Sequence, residues 1–215
     1  MLAVQHIDLD DSETARLIKA FATPQDHASV ARYHAARRRE QGLATRALMR
    51  SMLQGKTSRA GASWAFDNDA SGKPRARTSD GDEPFQISMS HSRTIVACAI
   101  TDEGTIGVDV EDMEPEREYE AIAAASFGPL EIKTVEHDGL VAFYRIWTLR
   151  EALAKARGVG YTLLVDRQDY VAGVPTDNEW RAVIAGREVL FRFRHIDASR
   201  VIAVALCPHL TSASA

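Results

Sequence analysis

The chain has 215 residues, of which 45% are hydrophobic and 26% are charged, and its formal net charge is −4. That length suits one large domain or two small ones with a substantial core, and a mildly acidic chain lacks the basic footprint of a nucleic-acid binder. No apolar run is long enough to span a bilayer, and the first residues lack a secretory signal. Cys98 and Cys207 lie in apolar stretches, which favours buried free thiols over a disulfide or a metal site. We therefore expect a cytoplasmic protein.

Apolar periodicity predicts two helices near the start of the chain. Residues 12–22 fit a short helix, and a longer basic helix is expected over about 28–54, with Gly55 as its stop. A short strand is predicted at 63–66. The segment 68–84 is rich in Gly, Pro, Ser and Asp, so it is predicted to be a loop.

The rest of the chain alternates between strand-like and helix-like segments. Strands are predicted at 85–92, 94–100 and 106–111. A helix and a break are expected over 121–132, and a second helix over 140–157 is expected to end at Gly158. Three further strands are predicted near 169–172, 189–196 and 200–207.

The two halves of the chain share one order of elements: a long helix ending in glycine, a short strand, an alternating strand and an apolar strand. Residues 92–100 (SRTIVACAI) and 199–207 (SRVIAVALC) are also similar in detail. We therefore expect an α+β fold in which two similar α/β-sheet halves pack with pseudo-twofold symmetry. The predicted halves are residues 1–106 and 107–215.

Two carboxylates stand close together on a predicted strand. Asp109 and Glu111 are two residues apart, so they lie on the same face, roughly 7 Å apart at the backbone. Such carboxylates repel each other, and a hard cation such as Mg²⁺ removes that cost. Alternatively, the strand ends here and both carboxylates face water. The pattern alone favours neither.

A Glu–Lys pair lies on the long predicted helix. Glu151 and Lys155 are four residues apart and share one face, which usually means a surface ion pair of a few tenths of a kcal/mol. Apolar neighbours such as Phe143, Trp147 and Leu153 instead predict a mostly buried helix, whose charges need partners.

Three further groups have the chemistry to bind phosphate, although each also has a simpler interpretation. Ser90 and His91 can donate hydrogen bonds, but a single histidine is more often structural. Lys73 follows a glycine, but it could be an ordinary loop lysine. A set of helix arginines could bind phosphate or form a solvated basic face: Arg37, Arg38, Arg39, Arg46 and Arg50.

Taken in order, these segments resemble the 4′-phosphopantetheinyl transferases, specifically the larger single-chain type that activates peptide and polyketide synthetases. The motifs are G-K-P at 72–74, S-H-S at 90–92, G-V-D-V-E at 107–111 and W-T-L-R-E-A-L-A-K at 147–155. Two positions differ from the family pattern. Arg150 stands where lysine is usual, and Ser88 stands where many members have asparagine.

The resemblance implies an enzyme that transfers the 4′-phosphopantetheine group of coenzyme A to a serine of an apo acyl or peptidyl carrier protein and releases adenosine 3′,5′-bisphosphate. Such carriers serve fatty-acid, polyketide or peptide synthesis. Asp109, Glu111 and Glu151 would bind one Mg²⁺. Glu151 would also be the general base, acting directly or through a metal-bound water, and Lys155 would neutralise phosphate charge.

By the same resemblance, coenzyme A would be held by one set of residues: Arg39, Arg46, Lys73, Ser90, His91 and Lys155. The expected partners are coenzyme A and the carrier, without nucleic acid or membrane, and the expected state is a monomer. Two alternatives are a non-catalytic module that binds coenzyme A or nucleotides and a metal-dependent phosphodiester hydrolase. The second usually needs another metal ion and more ligands than the chain offers.

Overall fold

Two antiparallel sheets, each packed against a long helix, form the computed structural model of this protein and confirm the predicted α+β fold with two sheet-and-helix halves. The structure describes residues 1–57, 59–78, 80–81, 85–160, 162–171 and 179–209. In the part of the chain so described, no helix is both long and apolar enough to cross a membrane.

The described residues form nine strands and six α-helices. The strands are β1 (Leu2–Asp8), β2 (Trp64–Asn68), β3 (Pro74–Thr78), β4 (Gln86–His91), β5 (Ile95–Thr101), β6 (Gly104–Asp112), β7 (Glu179–Ile184), β8 (Arg187–His195) and β9 (Arg200–Pro208). The helices are α1 (Ser12–Phe21), α2 (Pro24–Val30), α3 (Ala36–Thr57), α4 (Tyr119–Ser126), α5 (Pro129–Arg157) and α6 (Thr162–Val165). The sheet orders are β1-β5-β4-β3-β2 and β6-β9-β8-β7.

Helix α3 covers the first sheet. Its buried residues Leu48, Met49 and Leu53 pack against Trp64 of β2 and Ile87 of β4. Buried residues spaced three or four apart give the helix one apolar face, and that face decides which side meets the sheet.

The predicted single helix over 28–54 is wrong, because the chain breaks between α2 and α3. Helix α2 begins with Pro24 and a capping box in which Thr23 and Asp26 bond each other. Asp26 also pairs with Arg50 on α3, so α2 must fold back against α3 and cannot continue its axis.

Helix α5 covers the second sheet and is interrupted once. Gly139 has φ +66 and non-helical geometry, which divides the helix just before the predicted start at residue 140. The helix ends at Gly158, as predicted, in a left-handed conformation with φ +67. Between these glycines, Phe143 and Leu153 pack on the core formed with β8 and β9.

Helix α5 also lies directly on β6. A Cβ at Gly107 would be 1.9 Å from the carbonyl oxygen of Ala152, so only glycine allows this approach. The contact places Asp109, two residues along the strand, beside the part of α5 that carries Glu151 and Lys155.

Several strands differ from expectation. Strand β3 lies inside the predicted loop 68–84, and β1 and β7 were not predicted. Residues 169–171 do not form the strand expected at 169–172, and residue 172 lies outside the described residues. The other predicted strands correspond to β2, β4, β5, β6, β8 and β9.

Two other predictions concern the cysteines and the boundary between the two halves. Cys98 is a buried free thiol as predicted, whereas Cys207 is only half-buried. The proposed boundary after residue 106 falls within β6, whose first residue is Gly104. The division at that point stays a prediction.

Candidate active site

A buried network joins β4, β6 and α5. Lys155 donates from Nζ to Asp109 Oδ1 at 2.6 Å and to Ser90 Oγ at 3.0 Å. Ser90 in turn donates to the same Asp109 oxygen at 2.8 Å. Asp109 is 4% exposed, so the acidic partner of Lys155 is a buried strand residue, and a surface pair with Glu151 is not what the structure shows.

The second carboxylate oxygen of Asp109 is buried and has no hydrogen-bond partner among the described residues. Burying a charged oxygen without a partner is costly, so such an atom needs an explanation. Burial and the negative charge of Asp109 also raise the pKa of Glu111 to about 8 and raise the pKa of Glu151. Three carboxylates thus repel one another in one region of low polarity.

These residues fit a hard divalent cation by their chemistry, because an orphaned carboxylate oxygen and raised carboxylate pKa values are both relieved by positive charge. Among the described residues, however, no group of three His, Cys, Asp or Glu side chains is gathered closely enough to hold a metal ion. The Mg²⁺ site at Asp109, Glu111 and Glu151 therefore stays a prediction.

Glu111 is held by residues that sequence reasoning did not assign to the site. Trp147 donates from Nε1 to Glu111 Oε1 at 3.0 Å. The guanidinium of Arg117 lies 4.0 Å from Glu111 Oε2 and 5.2 Å from the centre of the Trp147 ring. Trp147 belongs to the motif at 147–155, so the sequence already offered its indole N–H as a possible hydrogen-bond donor to a site carboxylate.

A cavity of about 380 Å³ adjoins this network. Glu151 and Lys155 line it from α5, Lys73 lines it from the turn before β3, and Leu164 of α6 forms part of the far wall. Lys73 donates from Nζ to the carbonyl oxygen of Ala156 at 3.2 Å, and burial lowers its pKa. Two lysines on separate elements thus line one cavity.

The turn that carries Lys73 is fixed by local chemistry. The Asp69 side chain accepts hydrogen bonds from the backbone N–H of Ser71 at 2.8 Å and of Lys73 at 3.0 Å. Gly72 has φ +85, which other residues rarely adopt. Glycine and aspartate therefore set the direction of the lysine.

His91 contacts an arginine of α3. Arg38 NH1 lies 3.1 Å from His91 Nδ1. Burial, then Arg38, then Lys155 lower the pKa of His91 to about 4, so the ring is neutral near pH 7. Arg38 is thus the helix arginine that reaches the S-H-S segment.

Arg39 and Arg46, the preferred candidates from the sequence, are not among the residues that line the cavity. Arg39 donates to the carbonyl oxygens of Tyr33 and His34 at 2.7 Å each. Arg46 lies 3.5 Å from Asp26. Their role in binding coenzyme A stays a prediction.

Ser88 and Ser90 of β4 and Ser92 in the turn after it bond β6. Ser88 Oγ accepts from Val108 N at 3.0 Å, and Ser92 Oγ accepts from Asp112 N at 2.8 Å, while Ser90 bonds Asp109. Strand β6 ends its sheet, so its outer N–H groups need such partners. Ser88, where many relatives have asparagine, therefore supports the strand that carries the carboxylates.

Comparison with known proteins gives the family. Residues 105–206 match the family model described as the 4′-phosphopantetheinyl transferase superfamily. Residues 105–206 are thus similar to this superfamily, and the relatives described below carry the same name. The predicted resemblance, and the prediction of an enzyme of this type, are confirmed.

Individual members of the superfamily align over different lengths. The 4′-phosphopantetheinyl transferase HetI of Nostoc sp. is 27% identical over 176 residues, which are 80% of this chain and 73% of HetI. The 4′-phosphopantetheinyl transferase AcpT of Salmonella typhi is 37% identical over 79 residues, 35% of this chain and 41% of AcpT. The aligned part therefore spans less than half of AcpT.

The neutral His91 predicts a pH effect on stability. Its pKa is lower in the folded chain than in the unfolded chain, where a histidine titrates near 6.5. Between about pH 6.5 and pH 4 the unfolded chain therefore binds more protons, and the free energy of unfolding falls as pH falls.

Urea unfolding at pH 7 and pH 5 should show a smaller loss of unfolding free energy for His91→Gln than for wild type. The matched variant His137→Gln, at an exposed site, should keep the wild-type difference. An unchanged loss in His91→Gln would contradict the assignment.

Proposed function

We propose that the protein transfers the 4′-phosphopantetheine group of coenzyme A to a serine of an apo acyl or peptidyl carrier protein and releases adenosine 3′,5′-bisphosphate. The observation that carries this proposal is the buried Lys155–Asp109–Ser90 network, with its orphaned carboxylate oxygen, beside a cavity that two lysines line. Similarity to the superfamily supports it.

The cavity suits a substrate rich in phosphate. Lys73 and Lys155 approach from different elements, so a pyrophosphate between them would contact two positive charges. A buried lysine whose pKa is lowered gains most from such an anion, because the anion stabilises its charged form. Ser90 and His91, at the end of β4, would supply further hydrogen bonds, with Arg38 behind the imidazole.

Asp109, Glu111 and Glu151 would hold Mg²⁺, which would offset negative charge on the phosphate under attack. The carrier serine oxygen forms a bond to the phosphorus on the pantetheine side, and the bond from that phosphorus to the bridging oxygen breaks. The bridging oxygen leaves with adenosine 3′,5′-bisphosphate. Glu151, which lines the cavity beside Lys155, would accept the serine proton.

The decisive experiment is the transfer itself. The protein is incubated with coenzyme A, Mg²⁺ and an apo carrier protein, and the carrier is weighed by mass spectrometry; a carrier with its serine replaced by alanine is the control. We expect the phosphopantetheine mass on the serine carrier alone. Binding of coenzyme A without transfer would instead identify a binding module, and cleavage of coenzyme A without carrier would identify a hydrolase.

We further propose that the protein acts in the cytoplasm as a monomer. Cys98 and Cys207 are free thiols, as expected in a reducing compartment. Light scattering of the purified protein measures the oligomeric state, and a dimer mass would contradict the second part of the proposal.

A further inference from the structure

Arg150, which stands where relatives usually have lysine, is entirely buried at 0% exposure. It directly precedes Glu151 but points away from the cavity, into a pocket between α4, α5 and α6. Its guanidinium lies 5.4 Å from the Phe127 ring centre and 5.1 Å from the Tyr170 ring centre. The side chain is therefore fixed by aromatic contacts on two sides.

The guanidinium has one charged partner that is equally buried. Arg150 NH1 donates to Glu131 Oε2 at 2.8 Å, and both side chains are 0% exposed. The other oxygen of Glu131 accepts from the backbone N–H groups of Tyr170 and Val171 at 2.9 Å each. The acid is held from the opposite side, so the position of the guanidinium is well determined.

Most of the remaining contacts of Arg150 are to backbone carbonyl groups. NH2 donates to Leu163 O at 2.7 Å, to Leu164 O at 3.3 Å and to Ser126 O at 3.0 Å. NH1 donates to Gln168 O at 2.7 Å. NH2 also lies 3.4 Å from Asp166 Oδ1, and Nε is buried without a hydrogen-bond partner among the described residues. In a helix as short as α6 the last carbonyl groups have no partner within the helix, so Arg150 supplies the partners that α6 cannot.

Helix α6 is part of the cavity wall. Leu164 lines the cavity together with Gly158 and Gly160, and both glycines have positive φ values, +67 and +57. Glycine restricts backbone rotation less than other residues do, so Gly158 and Gly160 by themselves constrain α6 only weakly. The place of Leu164 therefore depends on what holds α6 from behind, which is the Arg150 hydrogen bonds together with the packing of Leu163 in the core.

We propose that Arg150 is a positioning residue: by holding the carbonyl groups of Leu163 and Leu164, it fixes the wall of the cavity in which coenzyme A binds. The proposal rests on the proposed function. Lysine cannot replace it, because one ammonium with three donors cannot reach the acid and the carbonyl groups on several sides together.

The test is Arg150→Lys, which keeps the charge opposite Glu131. We expect the KM for coenzyme A to rise about tenfold, as for the loss of one charged hydrogen bond, while kcat changes much less. Without coenzyme A, the amides of residues 162–168 should exchange hydrogen faster than in wild type. A variant with wild-type KM and wild-type exchange would overturn the proposal.

Two further variants separate positioning from lost stability. Val189→Ala makes a hole in the same core, at a fully buried residue of β8, and should lower the melting temperature without changing KM. Leu163→Ala loosens α6 from that core without altering the cavity lining, and it keeps the test available if Arg150→Lys does not fold. It should raise KM as well, and faster exchange of α6 with an unchanged KM would overturn the proposal.

If the wild-type protein transfers nothing, the proposed function fails separately. Amide hydrogen exchange of residues 162–168 then tests the structural role of Arg150 independently of the proposed function. Faster exchange in Arg150→Lys supports its hold on α6, and unchanged exchange overturns it.

Discussion

Asp109→Ala is expected to lower phosphopantetheine transfer by about 1000-fold or more, the scale on which removal of one charge-stabilising group acts at an active site. Its carboxylate holds Lys155 and Ser90 with one oxygen and keeps the other buried and unpaired. Removing it releases the ammonium and deletes a proposed Mg²⁺ ligand. The fold should survive, because Lys155 is 31% exposed and can turn into the cavity.

The matched control is Asp112, a second buried aspartate of strand β6. Asp112 accepts hydrogen bonds from Ser92 Oγ at 2.7 Å and Thr94 N at 2.9 Å, so it links β6 to the turn after β4. Asp112→Asn should lower stability and leave transfer nearly normal. Near-normal transfer by Asp109→Ala would contradict the three-carboxylate assignment.

The metal can be tested without measuring activity. Since burial and then repulsion by Asp109 raise the pKa values of Glu111 and Glu151, a bound cation should stabilise the folded chain. Mg²⁺ should raise the melting temperature of wild type and raise that of Asp109→Ala much less. Equal shifts in both proteins would place the ion elsewhere.

The elements that were predicted correctly have strong patterns, and those that were missed do not. Strands β5 and β9 are apolar runs, and α5 ends at a glycine with the expected positive φ. Strand β3 reads P-R-A-R-T and β7 reads E-W-R-A-V-I, so their polar residues and proline resemble a loop. Only pairing with β2 and β8 makes them strands, and pairing between distant segments leaves little trace in local sequence.

The site shows the same division between local and distant information. Asp109 with Glu111, and Glu151 with Lys155, each lie within one element, where spacing fixes their common face. Which arginine of α3 reaches the site depends on where that helix begins. The predicted helix began at residue 28, eight residues before the observed start at Ala36. With the observed start, Arg38 lies in the first turn and reaches His91.

Asp26→Ala is expected to lower the free energy of unfolding by about 3–5 kcal/mol, the usual cost of removing one member of a buried ion pair. Asp26 is 3% exposed and so is Arg50. Without the acid, the partners that the described residues leave to the guanidinium of Arg50 are the carbonyl oxygen of Trp64 at 3.0 Å and the ring of Phe66 at 4.6 Å. The variant also loses the capping box of α2, which adds about 1 kcal/mol.

Urea unfolding of three variants measures this effect. The double variant Asp26→Leu with Arg50→Met should recover most of the lost stability, because apolar residues of similar size leave no fully buried charge unpaired; Arg46, which also loses Asp26, is 26% exposed. Glu40→Ala, which removes the half-exposed partner of Arg37, should cost less than about 1 kcal/mol. A loss below 1 kcal/mol for Asp26→Ala would show that Arg50 is not held by this pair.

The double variant also tests how Arg50 was interpreted from the sequence, as a member of a basic face that could bind phosphate. A buried guanidinium already paired with an acid has no free side for a ligand. We therefore expect the double variant to keep the wild-type KM for coenzyme A. A KM raised tenfold would show that α2 or Arg50 contributes to the substrate site, and restoring Arg50 alone would then decide between them.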